Sequence, residues 1–264
     1  MAPRTIQSVI DALVAAVPGA PFASTVDTLK AGDAAQPAVK AAVCFMATGE
    51  ALERAVNLGA NLVITHEPTF YNHLDQTDWL KGDPVYEAKR AFIERHRLVV
   101  WRFHDYPHHL KPDGILTGML QALGWEELTA AGQSSEFVIP PLSLREMAVQ
   151  LRDRLGIATV RFVGNPDLVC ERVALLPGAP GGGKQIRALM GGAATVLITG
   201  EVAEWETSEY VRDANGAGLP RGLIVLGHAA SEEAGMRWLT TWMQALVPDV
   251  PFVFVPVRNP FQWV

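Results

Sequence analysis

Apolar positions follow two rhythms along the chain. Ile6, Val9, Ile10, Leu13 and Val17 recur at helical spacing, which predicts an amphipathic N-terminal helix. Elsewhere mainly apolar residues form short runs, at 41–47, 62–65, 98–103, 194–199 and 223–226. Runs of this length, rich in Val, Ile and Leu, predict strands buried on both faces, as in a parallel sheet. Between the first two runs, residues 49–58 place Ala51, Leu52, Ala55 and Val56 on one helical face. The order is β-α-β, so these two strands run parallel with a right-handed crossover. Asp83 is placed to cap a helix reaching His96, with Pro84 at its first position. Further helices are predicted over 114–123, closed by Gly124, over 143–155, ended by Gly156, and over 229–246. A turn, PGAPGGGK, leads into another helix ending at Met190. Strands are predicted at 136–139, 159–163, 172–176 and 252–255, whereas 18–37 and 103–114 read as loops. The class is α/β.

Four of the buried runs stop at a side chain able to ligate a metal or move a proton. Their endings are His66 with Glu67, His104, Glu201, and His228. A lone histidine after a strand is more often structural than functional. Four such endings favour a shared site, because α/β sheets bind ligands beyond the carboxyl ends of their strands.

Composition narrows the options. The chain has 264 residues, 49% of them hydrophobic, with a net charge of −6. That length suits one large domain or two small ones, and the acidic balance argues against nucleic acid or an anionic membrane as partner. No apolar run reaches the ~18 residues of a membrane span. The opening segment has a trace of signal-peptide character, but Gln7, Ser8 and Asp11 break its apolar stretch. Cys44 and Cys170 lie far apart inside apolar runs and read as buried thiols, which fits a cytoplasmic protein.

His228 and Glu232, four residues apart, share one helical face, and Glu233 points elsewhere. Read alone, the pair is a surface histidine with a first-turn carboxylate favoured by the helix dipole. Residues 103–114 hold His104, His108 and His109 with Asp105 and Asp113, directly after a strand. That clustering favours metal binding or acid–base work over a solvated loop. His73 and His96 have no such context. Gly178-x-x-x-x-Gly183-Lys184 approaches a phosphate-binding loop, but Gln185 replaces the Ser or Thr that would hold magnesium, and Pro180 removes a backbone donor. A structural glycine turn is the expectation there.

These segments together resemble the dinuclear metal-centre family named after NGG-interacting factor three, whose members carry the name GTP cyclohydrolase I type 2. DTLKAGD (27–33), ITHEP (64–68), FHDYPH (103–108), ITGEVAEW (198–205) and LGHAASE (226–232) occur in the family's order. The resemblance implies an α/β protein of two interleaved lobes with mostly parallel or mixed sheets and a metal cleft at the strand ends. The first lobe is expected over 1–128 and 222–264, the second over 129–221. It also implies two divalent ions, zinc, manganese or iron, held by His66, Glu67, His108, His228 and Glu232. Two of these depart from the family pattern, Glu67 standing for a histidine and His108 for an aspartate. The exchange keeps three imidazoles and two carboxylates. Also implied are a homohexamer built as a trimer of dimers and hydrolase or cyclohydrolase chemistry on a small molecule. His104 is the candidate for proton transfer, and a non-catalytic regulatory role is the alternative.

Overall fold

The computed structural model describes residues 3–128, 135–190, 194–262 and 264, and the chain forms two units. The first comprises residues 1–115 and 235–264, the second residues 116–234. The lobe boundary expected at 129 lies outside the described residues.

The first unit is built on a five-stranded sheet. Its strands are β1 (Leu29–Ala31), β2 (Ala41–Cys44), β3 (Leu62–Thr65), β4 (Val99–Arg102) and β10 (Phe252–Phe254), in the order β1-β4-β3-β2-β10. β10, β2, β3 and β4 are parallel, as their short apolar runs predict, and β1 closes one edge antiparallel with a bulge. β2, β3 and β4 are buried at every position. One face packs helix α1 (Ile6–Ala15) and the C-terminal part of α9 (His228–Leu246) over Val43, Ile64, Val99 and Trp101. The other covers Val63 and Val100 with α2 (Gly49–Asn57) and α3 (Pro84–Arg95). Local signals set these helices: Thr5, Thr48 and Asp83 each accept a backbone N–H at an N-terminus.

The second unit repeats the plan with β5 (Glu136–Ser143), β6 (Arg161–Val163), β7 (Val169–Leu176), β8 (Val196–Thr199) and β9 (Gly222–Val225). The order is β5-β7-β8-β9-β6, with β7, β8 and β9 parallel and both edge strands antiparallel. α5 (Gly114–Leu123), α6 (Leu144–Leu155), α7 (Gly182–Met190) and α8 (Glu209–Gly216) complete the helix set. α6 begins with a reciprocal capping box between Ser143 and Glu146 and stops at Gly156, whose φ of 64° is left-handed. A π-helical turn at Glu204–Ser208 precedes α8.

Two readings need correction. Residues 18–37 are not all loop, because β1 pairs with β4 there. The segment after β4 is not loop throughout either: α4 (Asp105–His109) starts at once. Both elements depend on partners distant in sequence. Cys44 and Cys170 are free and buried, and burial pushes the Cys170 thiol up to about 11. Among the described residues no helix is long and apolar enough to cross a membrane.

Candidate metal centre

β3 delivers His66 and Glu67 by ending abruptly. Thr65 Oγ1 donates to the Glu67 carbonyl at 3.0 Å, and the backbone N–H groups of His66 and Glu67 both donate to the Phe45 carbonyl. The turn is therefore pinned, and the His66 side chain is fully buried. β4 delivers His104 in the same way, and α4 carries His108. What fixes α4 is Asp27. Its carboxylate is buried and accepts the N–H groups of His104 at 2.7 Å, Asp105 at 2.9 Å and Tyr106 at 2.8 Å. Burial raises the Asp27 carboxyl above its ordinary range, although these bonds pull the other way.

His66, His104 and His108 come together, each offering a ring nitrogen within 4.8 Å of the others. One nitrogen on each ring is already assigned. His66 Nδ1 is 3.1 Å from the Phe103 carbonyl, His104 Nδ1 is 2.9 Å from Asp105 Oδ1, and His108 Nδ1 is 2.9 Å from Asp113 Oδ2. A carbonyl or carboxylate only accepts, so Nδ1 carries the proton and Nε2 presents a lone pair. Metal-ligating histidines are ordinarily oriented by an acceptor on the second ring nitrogen. The donor set fits a divalent ion that accepts imidazole.

Glu67 lies between two bases. Its Oε1 is 3.6 Å from His104 Nε2 and its Oε2 is 3.6 Å from Arg102 Nη2. Arg102 is fully buried; its Nε donates to the His66 carbonyl at 3.0 Å and its Nη1 to the His73 carbonyl. The guanidinium therefore holds the backbone on both sides of Glu67. The burial of His104, together with the neighbouring His66, pushes its imidazole down to about 3, so it is neutral at ordinary pH. The Asp105 carboxyl is raised by burial but lowered more by bonds from His104, Thr25 and the Val26 N–H, leaving it at about 2.

Arg102 and His73 join the site without having been expected there from the sequence. A charged residue inside an otherwise apolar run was the available signal for the first. The second has none, since its ring meets His104 only through the fold, 5.8 Å centre to centre.

In the second unit His228 opens α9. Its Nδ1 is 3.1 Å from Glu201 Oε2 and its Nε2 is 3.2 Å from Glu232 Oε2. The four-residue spacing thus puts His228 and Glu232 side by side, with Glu232 buried. Ser231 Oγ accepts the Gly178 N–H at 2.9 Å, so the glycine turn is tied to this helix start. A Cβ on Gly178 would lie 2.2 Å from Glu232 Oε1, and one on Gly200 would lie 2.3 Å from Ser231 Oγ. Those glycines are needed for close approach, not for a phosphate. A Cβ on Gly182 would likewise meet Glu206 Oε2 at 2.2 Å, so a carboxylate already lies against the start of α7. Lys184→Ala is accordingly expected to leave ATP and GTP affinity unchanged in equilibrium dialysis with magnesium. Tight binding lost in that variant would overturn the structural reading of the turn.

Two mixed α/β units, one holding a partly buried histidine cluster able to take a metal ion, define a candidate metal-binding protein. The chain belongs to the Duf34/NIF3 (NGG1p interacting factor 3) family, whose model matches residues 5–260. It is 24% identical over 246 residues to a GTP cyclohydrolase 1 type 2 homolog of Chlamydia muridarum, covering 88% of this chain and 90% of that one. A GTP cyclohydrolase 1 type 2 homolog of Escherichia coli is 27% identical over 210 residues, 79% of this chain and 80% of the other. Among solved structures, a Bacillus cereus protein related to NIF3 superposes with a TM-score of 0.79 at 15% identity, covering 99% of each chain.

Proposed function

We propose that the protein is a metal-dependent hydrolase or cyclohydrolase using two divalent ions, zinc, manganese or iron. The ligands in this reading are His66, Glu67 and His108 from the first unit and His228 and Glu232 from the second. The motif resemblance is what joins the two sets. The observation that carries the reading is that the proposed ligands His66 and His108, like His104 beside them, have Nδ1 taken up by an acceptor, so that Nε2 is the ligating atom. A bound ion would supply Lewis-acid polarisation and an acidified water. The chain's own residues would do the rest. Glu67 and His104, 3.6 Å apart, are the pair through which a proton would pass. Arg102 orients the Glu67 carboxylate. Asp105 and Asp113 hold two of the imidazoles in one tautomer.

The names of the relatives make GTP the first substrate to try. The test is elemental analysis of the purified protein, then GTP turnover with each added metal. Metal bound with turnover supports the proposal, and a protein that takes up none of the three metals overturns it. One observation favours a non-catalytic, metal-dependent binding role instead: an imidazole held near 3 is a weak base. Stoichiometric metal without turnover of GTP or other purine nucleotides would select that reading.

For assembly we propose a homohexamer, a trimer of dimers, from the end-to-end family match. Light scattering at micromolar concentration should give about six times the 28.6 kDa chain mass. A stable monomer would refute it.

A further inference from the structure

Away from the histidine cluster, the first unit contains a cavity of about 620 Å³ between β1 and α3. That volume falls in the range of small-molecule sites, about 300–1,000 Å³. Its walls include Phe70, Tyr86, Ile93 and Leu98, all of them core residues. Phe70 and Tyr86 meet edge to face, 5.3 Å between centres, which gives the cavity an aromatic wall. Lys30 also lines it, with its side chain only 7% exposed.

Lys30 is the unusual group. Its ammonium has three donors, yet among the described residues its one ion partner is Asp75 Oδ2 at 3.4 Å, and no hydrogen bond forms at Nζ. The Lys30 side chain is 7% exposed but Nζ is not sealed off, so an anion entering the cavity meets an ammonium with donors to offer. Asp75 Oδ1 accepts the Phe70 N–H at 2.6 Å, and its Oδ2 is sealed from solvent and lies 4.0 Å from Arg102 Nη1. Asp75 also lines the cavity, with Oδ1 already taken and Oδ2 sealed, so Lys30 is the group with donors to offer a ligand. At the lining Arg90 is engaged by Glu87 and Glu94, whereas Arg97 has no ion pair among the described residues. Asp33 and Glu94 line the cavity too and Arg97 is exposed; the apolar walls with an aromatic corner and the largely buried Lys30 side chain point to one chemistry.

We infer that this cavity is a binding site for a small aromatic carboxylate, its ring against Phe70 and Tyr86 and its carboxylate on Lys30. The inference stands apart from the metal reading, because none of the proposed ligands lines the cavity. The probe is anthranilate, followed by its own fluorescence on the full chain after chelator treatment, so that no metal competes for it. Saturable binding of one anthranilate per chain is expected, displaced by benzoate and not by benzylamine, which has the same ring with a positive charge. Lys30→Met should weaken binding at least about tenfold, and Lys30→Arg should stay within about threefold. If Lys30→Met does not fold, Arg97→Glu and the benzoate–benzylamine comparison on the unaltered protein decide the matter. Failure to saturate, equal displacement by benzylamine, or unchanged affinity in Lys30→Met or in Arg97→Glu would overturn it.

Discussion

Replacing His66 with alanine is expected to lower zinc affinity by more than about 100-fold, beyond the 10–100-fold that loss of an outer partner costs a metal site. His66 is the fully buried member of the histidine triplet, and its Nδ1 proton is fixed on the Phe103 carbonyl. Asp113→Asn should cost about 10–100-fold, since the amide still reaches His108 Nδ1 but no longer carries the charge that makes the imidazole basic. Glu67→Ala and His108→Ala should each reduce metal content measured by elemental analysis. The double exchange Glu67→His with His108→Asp should keep it, because it restores the family arrangement with the same count of imidazoles and carboxylates. Unchanged stoichiometry in both alanine variants would remove Glu67 and His108 from the ligand set and with them the two-ion reading. Melting curves separate this from unfolding: a variant that keeps its metal-free midpoint has lost ligands, not fold.

Where the determinant of an element was local, the sequence showed it. The fully buried strands β2, β3, β4, β8 and β9 announce themselves as short, mainly apolar runs, and the caps Thr5, Thr48, Asp83 and Ser143 sit where the helix pattern begins. Spacing alone paired His228 with Glu232. What stayed hidden depends on contacts far along the chain. β1 is three residues long and exists because Leu29 and Ala31 pair with β4. α4 is five residues with a proline inside, and its N–H groups are satisfied by Asp27, which lies 77 to 79 positions earlier. Arg102 shows in the sequence only as a charge inside an apolar run, and its place beside Glu67 comes from the fold. His73 belongs to the loop after β3, and nothing in that loop's composition marks it. Local rules thus identify the strands that end at the site, while the side chains that orient its groups are set by tertiary contacts.

The metal-free protein should lose stability steeply on mild acidification, and His104 is the main reason. In the native state its imidazole is held at about 3, first by burial and then by His66, against 6.5 in an unfolded chain. Between those values the unfolded state binds the proton and the native state does not, so stability falls as pH drops. The loss begins near pH 6.5 and is complete near pH 3, and it is on the order of 4 kcal/mol for a shift of this size. Asp105 acts in the same direction at the lower end, its carboxyl being held at about 2 against 3.8. Asp27 opposes both, because burial raises its carboxyl and the native state takes up that proton first. The decline should therefore set in below pH 6.5, as His104 titrates in the unfolded chain. Urea unfolding of chelator-treated protein at a series of pH values measures it directly. His104→Gln, which cannot take up a proton, should flatten most of the slope between pH 6.5 and 4 while leaving the decline below pH 4. If the variant loses stability with pH as steeply as the unaltered protein, another group carries the effect and the buried neutral imidazole is the wrong account.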